Sequence, residues 1–487
     1  MGPQRTINLY SSQHQLIGNL ISDAYAGKRI FITSNPKEKI KQIRKAIDEK
    51  AAVTGLDGLR IFQITSDNSR EKETQDFINN VKSRILKYDV VLSSPSLGTG
   101  VDITFDGAES KIDVVYGFFE NQINSHTEID QQLARVRHPR DVRVWISPRK
   151  YNFEFEFNVV KEDFIRNNLF EHLFPGAEAD FDDANGEGYS LFVNLAAMIL
   201  ADQRASKNNL KENFIEYKTK NGWIVNQALP DDLETTEGKE LYRIGRSKLK
   251  EEEIERLVVA LPMAKPEYDN MKERLDQNDE EISRSELESF WRTRIELFYQ
   301  QKISKQLVER DNKGRYRDSV YRYIAVTNVD LIKEQIKTRK TGMKSRVMAL
   351  NSSKVMRDRV LGDILLFEIL NASPIFKAGE FWPDIEFGLD DLDKFTNFSI
   401  QMRVFVETQL GLTIRSDIKT KATEQLGDFL KLVGLKLKMN RTKKVGGKKN
   451  YLYKLDPDTH AEVENIASNL HSKFLIVQDL VINVYLQ

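Results

Sequence analysis

The 487-residue chain balances 73 Lys and Arg against 73 Asp and Glu, is 40% hydrophobic, and contains no cysteine and only six histidines. This excludes a disulfide framework, a Cys-zinc site and a thiol nucleophile, and the scattered histidines form no metal-ligand pattern. With zero net charge nothing global draws the chain to nucleic acid, so any such contact must come from local patches.

No apolar run approaches the roughly 18 residues of a membrane span. The start, MGPQRTINLY, lacks the apolar core of a secretion signal, so the chain reads as soluble and cytoplasmic. In order, residues 13–26 read as a helix with Ser11 or Ser12 as N-cap and Gly27 as its stop. Residues 29–33 (RIFIT) read as a strand, 36–52 as a helix with Pro36 in its first turn, 59–65 as a strand, and 70–86 as a helix. Strands alternating with helices of this length predict crossovers and a parallel sheet, whose ligands sit at the carboxyl ends of the strands.

The most informative stretch runs from Tyr88 to Pro148. The apolar run Val90, Val91, Leu92 enters a small-residue loop with Ser94, Ser96, Gly98, Thr99 and Gly100, closing on Asp102. A second apolar run spans 114–119, a short helical pattern carries Gln131, Gln132, Arg135 and Arg137, and a third apolar run spans 142–146. The segment Ser94-Pro-Ser-Leu-Gly-Thr-Gly-Val-Asp102 resembles motif V of superfamily-two helicases, and Gln131-Gln-Leu-Ala-Arg135-Val-Arg137 resembles their motif VI. Ala134 stands where that motif usually has glycine, and its Arg-Val-Arg form is similar to helicases of the herpesvirus origin-binding class and to cyanobacterial plasmid replication proteins.

The resemblance covers roughly residues 5–150 and implies an α/β fold: a RecA-like parallel-sheet lobe, the second lobe of a helicase. It implies that Gly98, Thr99, Gly100 and Asp102 approach a nucleotide, that Ser94 and Ser96 touch a nucleic-acid backbone, and that Gln131, Arg135 and Arg137 serve catalysis. An arginine finger spreads charge over phosphoryl oxygens and can be worth roughly 10³–10⁵ in rate. Gln131 and Arg135, four apart, share a face of any continuous helix. Pro139 disfavours helix at His138, so the helix is expected to end there and free Arg137, the preferred finger, with Arg135 positioning. The bland alternatives are a glycine-permitted turn and solvated surface arginines.

No G-x-x-x-x-G-K-[ST] occurs anywhere in the chain, and no apolar strand ends in an Asp-Glu pair. ATP and Mg²⁺ are therefore expected to be held mainly by a first lobe absent from these residues.

From residue 151 the pattern turns helical, with an acidic loop at 175–189, helices at 191–206 and 207–219, and a turn into a strand at Gly222-Trp-Ile-Val. Residues 228–237 read as a linker, 248–261 as a helix, 267–310 as charged helices, and 316–328 as a short strand pair. A basic run lies between Lys333 and Arg346, and the proline-bearing stretch 373–387 reads as a boundary. Four domains follow: 1–150, 151–265, 266–375 and 376–487. In the last, helices at 395–410 and 421–433 precede a hairpin signature, LKLKMN and NYLYKL about Gly446-Gly447. That order predicts a winged-helix-like tail. From Lys431 to Lys454 there are nine Lys or Arg and no acid. Lys436, Lys438, Arg441, Lys443, Lys444, Lys448 and Lys449 are its candidate nucleic-acid contacts, through phosphates and with weak sequence selectivity. The alternative for these lysines is guarding an exposed strand edge. The sequence thus predicts part of an ATP-dependent DNA helicase and replication-origin-binding initiator of plasmid DNA replication. The competing reading is a non-hydrolysing DNA-binding module.

Overall fold

The apolar runs expected to be strands form a buried sheet. A computed structural model describes residues 5–471 apart from 56–57, 70, 98–100, 122, 152, 154, 167–186, 278–281, 329–358 and 446–447. Gly98, Thr99, Gly100, the basic run 333–346, the Gly446-Gly447 turn and most of the acidic loop lie outside the described residues. The chain divides into two compact units, up to Glu253 and from Ile254, apart from a stretch outside the described residues.

In the first unit, β1 (Thr6–Tyr10), β2 (Ile30–Ser34), β3 (Ile61–Ile64), β4 (Val90–Ser93), β5 (Val114–Phe119), β6 (Asp141–Ile146) and β7 (Ile224–Gln227) form a seven-stranded sheet ordered β3-β4-β2-β5-β6-β1-β7. Every pairing in it is parallel. All residues of β2, β4 and β5 are buried, as continuous apolar strands covered on both faces require. On one face Ile30, Ile32, Leu92 and Phe118 pack with Leu20 of α1 (Gln13–Tyr25) and Ile43 of α2 (Lys37–Thr54). On the other, Phe31, Val91 and Val115 pack with Phe77 of α3 (Lys72–Asn79), Val81 of α4 (Val81–Arg84) and Ile129 of α5 (His126–Leu133).

β1 and β7 were not foreseen as sheet members, and β7 brings residues beyond 220 into the same unit as β1. The linker expected at 228–237 gives way at Asp232, where a helix runs to Val259. That helix lies close against α1. A Cβ on Gly238 would fall 2.0 Å from the His14 carbonyl oxygen, and one on Gly18 would fall 2.3 Å from the Glu234 carbonyl oxygen, so side chains are excluded from the crossing.

The second unit is mainly helical. Helices Arg284–Tyr299, Arg315–Thr327, Arg359–Asn371, Asp393–Gln401, Ala422–Lys431 and Pro457–His471 surround a core that includes Phe298, Val320, Leu366, Phe395, Phe429 and Val463. The strand pair expected at 316–328 is a helix instead. Its β-branched and aromatic residues suggested strand, but Val320, Tyr321 and Ile324 recur at helical spacing and all are buried. The buried ion pair of Arg317 with Asp311, at 2.6 Å, anchors its first turn. Two hairpins complete the unit: β8 (Phe376–Lys377) with β9 (Glu380–Phe381), and β10 (Leu437–Val445) with β11 (Lys448–Leu455).

Candidate functional site

β2 and β5 lie side by side, and the chain leaves them in opposite directions, into α2 on one face of the sheet and α5 on the other. Such a switch point opens a crevice at the carboxyl edge. Polar side chains rather than apolar ones fill this edge. Asn35 spans it: its Nδ2 donates to the Glu120 carbonyl at 2.7 Å, and its Oδ1 accepts from the Glu120 N–H at 2.8 Å. Ser34 Oγ donates to the Phe118 carbonyl at 2.8 Å, and Thr33 Oγ1 donates to Gln132 Oε1 at 3.3 Å. Asn121 is buried, and its Oδ1 has no hydrogen-bond partner among the described residues.

The helix carrying the second motif-like segment begins in a capping box: Ser125 Oγ accepts from the Glu128 N–H, and Glu128 Oε2 accepts from the Ser125 N–H at 2.6 Å. It packs on β5 through Gly117, where a Cβ would meet Leu133 Cδ2 at 2.8 Å and the Phe119 ring at 2.6 Å. The helix stops at Leu133, not at His138. Gln131 and Arg135 therefore do not share one helical face. The segment after Ala134 turns extended because Val136 pairs with Ile103: the Ile103 N–H donates to the Arg135 carbonyl at 2.8 Å and the Arg137 N–H to the Ile103 carbonyl at 3.3 Å. This tertiary pairing outweighs helix propagation. Gln131 is exposed, and its neighbour Gln132 turns inward to Thr33 and Asn124.

The same pairing brings the two motif-like segments together. Arg137 Nε lies 3.0 Å from Asp102 Oδ1, with both side chains about half exposed, and Thr104 Oγ1 donates to the same oxygen at 2.8 Å. The Thr104 hydroxyl and the Arg137 guanidinium hold the Asp102 carboxyl below the usual carboxylate range. Arg135 is in the opposite condition. It is 7% exposed, burial pushes its pKa down, and its buried Nη1 has no acceptor among the described residues. A guanidinium stays charged even so, and a buried charge without a partner is costly. An anion arriving at Arg135 would meet a donor already stripped of water. Ser94 is buried at the end of β4, its N–H donating to the Ile64 carbonyl at 2.9 Å, and Ser96 lies in the turn Pro95–Leu97.

Sequence reasoning passed over Gln132 and Asn121. The asparagines following β5 at Asn121 and Asn124, and the Ser125-x-x-Glu128 spacing, were the available signals. Among the described residues no group of three or more His, Asp or Glu side chains is placed to hold a metal ion. Among them, too, no helix is long and apolar enough to cross a membrane.

In the second unit β10 and β11 form an antiparallel hairpin with a bulge between Met439 and Arg441. Residues opposite one another share a face. Met439 with Tyr453 and Thr442 with Tyr451 lie on one face, as does Lys449; Lys438 with Lys454, Arg441 with Leu452, and Lys443 with Asn450 lie on the other. Lys436, Lys438, Arg441, Lys443 and Lys449 are exposed. The stretch lacks acids of its own, but Glu386 reaches it: Arg441 Nη2 lies 2.6 Å from Glu386 Oε2. β11 is also held on its other edge, since Phe387 and Tyr453 exchange backbone hydrogen bonds at 2.8 and 3.0 Å.

No protein-family model matches this chain, and no curated protein matches it. What the structure establishes directly is an α/β unit with a parallel sheet and a mainly helical unit that carries a basic hairpin.

Proposed function

We propose that the chain is the second-lobe portion of an ATP-dependent nucleic-acid motor of the replication-initiator kind. Its α/β unit lends an arginine to a nucleotide whose triphosphate is cradled by another lobe, and its basic hairpin holds nucleic acid. The observation that carries this reading is Arg135: a buried guanidinium whose Nη1 has no acceptor among the described residues, on the segment tied to Asp102 and Ile103. The two arginines have different parts in it. Arg135 has its charge unspent and faces the phosphoryl oxygens. Arg137 holds the two motif-like segments together through Asp102 and reaches a phosphate only after leaving it. ATP supplies the phosphoryl group, and Mg²⁺ sits with the other lobe.

The hairpin's context supports a winged-helix reading. Helix Arg359–Asn371, the Phe387 bridge, helices Asp393–Gln401 and Ala422–Lys431, and then β10 and β11 follow in order, with Phe387 pairing to β11.

The test joins the chain to a lobe bearing G-x-x-x-x-G-K-[ST] and measures DNA-stimulated ATP hydrolysis. Arg135→Ala is expected to lower turnover about 10³-fold or more with DNA affinity kept. Unchanged turnover in both Arg135→Ala and Arg137→Ala rejects the arginine-finger role of this unit. The second reading, a non-hydrolysing binder that keeps the sheet as scaffold, is favoured by one fact: none of the 487 residues forms a phosphate-cradling P-loop. It expects both arginine variants to behave as the parent while hairpin charge reversals lose binding.

A further inference from the structure

The basic hairpin has two chemically different faces. One is polar and cationic, with Lys438, Arg441 and Lys443 all exposed. The other runs from partly buried Leu437 and buried Leu455, through Met439 and Tyr453, to Thr442 and Tyr451, and on to exposed Lys449. Tyr453 packs against the hydrophobic core, and its ring centroid lies 6.4 Å from that of Phe387. Tyr451 does not join the core: it is 49% exposed, and Met439 on the same face is 54% exposed. An aromatic ring and a thioether lie open to solvent, with Lys449 beyond them. Duplex phosphates give such a surface nothing to bury, because paired bases hide their faces. Unpaired bases present a π-face that stacks on an aromatic ring while cations track the backbone.

The helix before the hairpin makes base-edge reading in a groove a poor alternative. Three cations of and around Ala422–Lys431 pair with neighbouring acids: Lys431 with Asp428, Arg415 with Asp417 and Glu424, and Lys421 with Glu424.

We infer that the Met439–Tyr451 face is a stacking platform for unpaired bases, so the hairpin's partner is single-stranded nucleic acid. This rests on the reading of the hairpin as the nucleic-acid-binding element and goes beyond it by choosing the strandedness. The lysines supply sequence-independent, salt-sensitive attraction, and Tyr451 supplies preference for single strands.

The experiment measures fluorescence anisotropy of the full chain with labelled oligothymidylate and with a blunt duplex of the same length. Expected is tighter binding of the single strand. Tyr451→Ala should lose on the order of tenfold affinity for oligothymidylate and little for duplex, with Tyr451→Phe restoring it. Because Tyr451 is half exposed, the alanine variant keeps the core. Lys443→Glu should weaken both ligands. If Tyr451→Ala binds both as the parent does, or weakens both equally, while Lys443→Glu still loses affinity, the stacking platform is rejected and the phosphate-binding hairpin stands. If the parent binds neither ligand, as it would if the face took an acidic protein, both ideas fall.

Discussion

Arg135 sets the residue-scale expectations. Replacing an unpaired buried charge with an apolar side chain of similar length removes a desolvation penalty, so Arg135→Met should melt no lower than the parent and gain on the order of 1 kcal/mol. The gain should come with a loss: millimolar pyrophosphate should raise the parent's melting temperature and leave the variant's unmoved. A lower melting temperature in Arg135→Met would mean that the guanidinium has a structural partner. Glu386 gives the converse prediction. Glu386→Gln releases Arg441 from its ion pair. Nucleic-acid affinity should rise several-fold at low salt, and the salt slope for single strands should steepen by about 0.7. His14 and His126 give the pH dependence. Burial lowers both pKa values, and for His14 the Lys39 and Lys239 ammoniums lower it further. The folded chain thus binds fewer protons than the unfolded chain as pH falls through about 6.5. Stability should decline on acidification through that value and level off below the folded pKa values. Urea midpoints at neutral and mildly acidic pH would show the drop, and a His14→Gln, His126→Asn double variant should show less of it.

At the scale of elements, glycines decide how closely helices approach. Gly117→Val would drive its new methyls into Leu133 and the Phe119 ring, pushing α5 off β5, at a cost of about 1–3 kcal/mol. Chemical denaturation would measure the loss, and Leu133→Ala in the same chain should recover part of it. Gly238→Val is harsher, because the obstacle is the His14 backbone rather than a side chain. Strands β2, β4, β5 and β6 were legible because central parallel strands are continuous apolar runs. β1 and β7 were not. β7 lies at the sheet's margin with three of its four residues exposed, and β1 has only two residues in the central cores, Ile7 and Leu9, besides Tyr10. The end of α5 was misplaced because the Ile103–Val136 bridge, a contact distant in sequence, stops it before the proline could. That the second motif-like segment returns to the first was legible from motif order; that Arg137 ion-pairs with Asp102 was not foreseen. Which arginine is buried and which is ion-paired was not, since that depends on the packing of both segments.

For the whole molecule, zero net charge conceals local contrasts: in the α/β unit Arg135 is buried with an Nη1 that has no acceptor among the described residues, and the hairpin of the helical unit carries exposed lysines. Removing residues 390–487 is a poor test of the hairpin, because the core that holds Phe298 and Val320 also contains Phe395 and Phe429. Charge reversals on the hairpin leave that core intact. Last, β1 lies between β6 and β7, and β7 lies over two hundred residues further along the chain. A ribosome releasing this protein must extrude residue 227 before the sheet's margin can close. Until then β1 offers the row of amides and carbonyls that β7 will take, an open edge that invites another nascent chain to pair. Arrested chains ending near residue 150 should therefore cling to holdase chaperones, and those ending some forty residues past Gln227, clear of the exit tunnel, should let go.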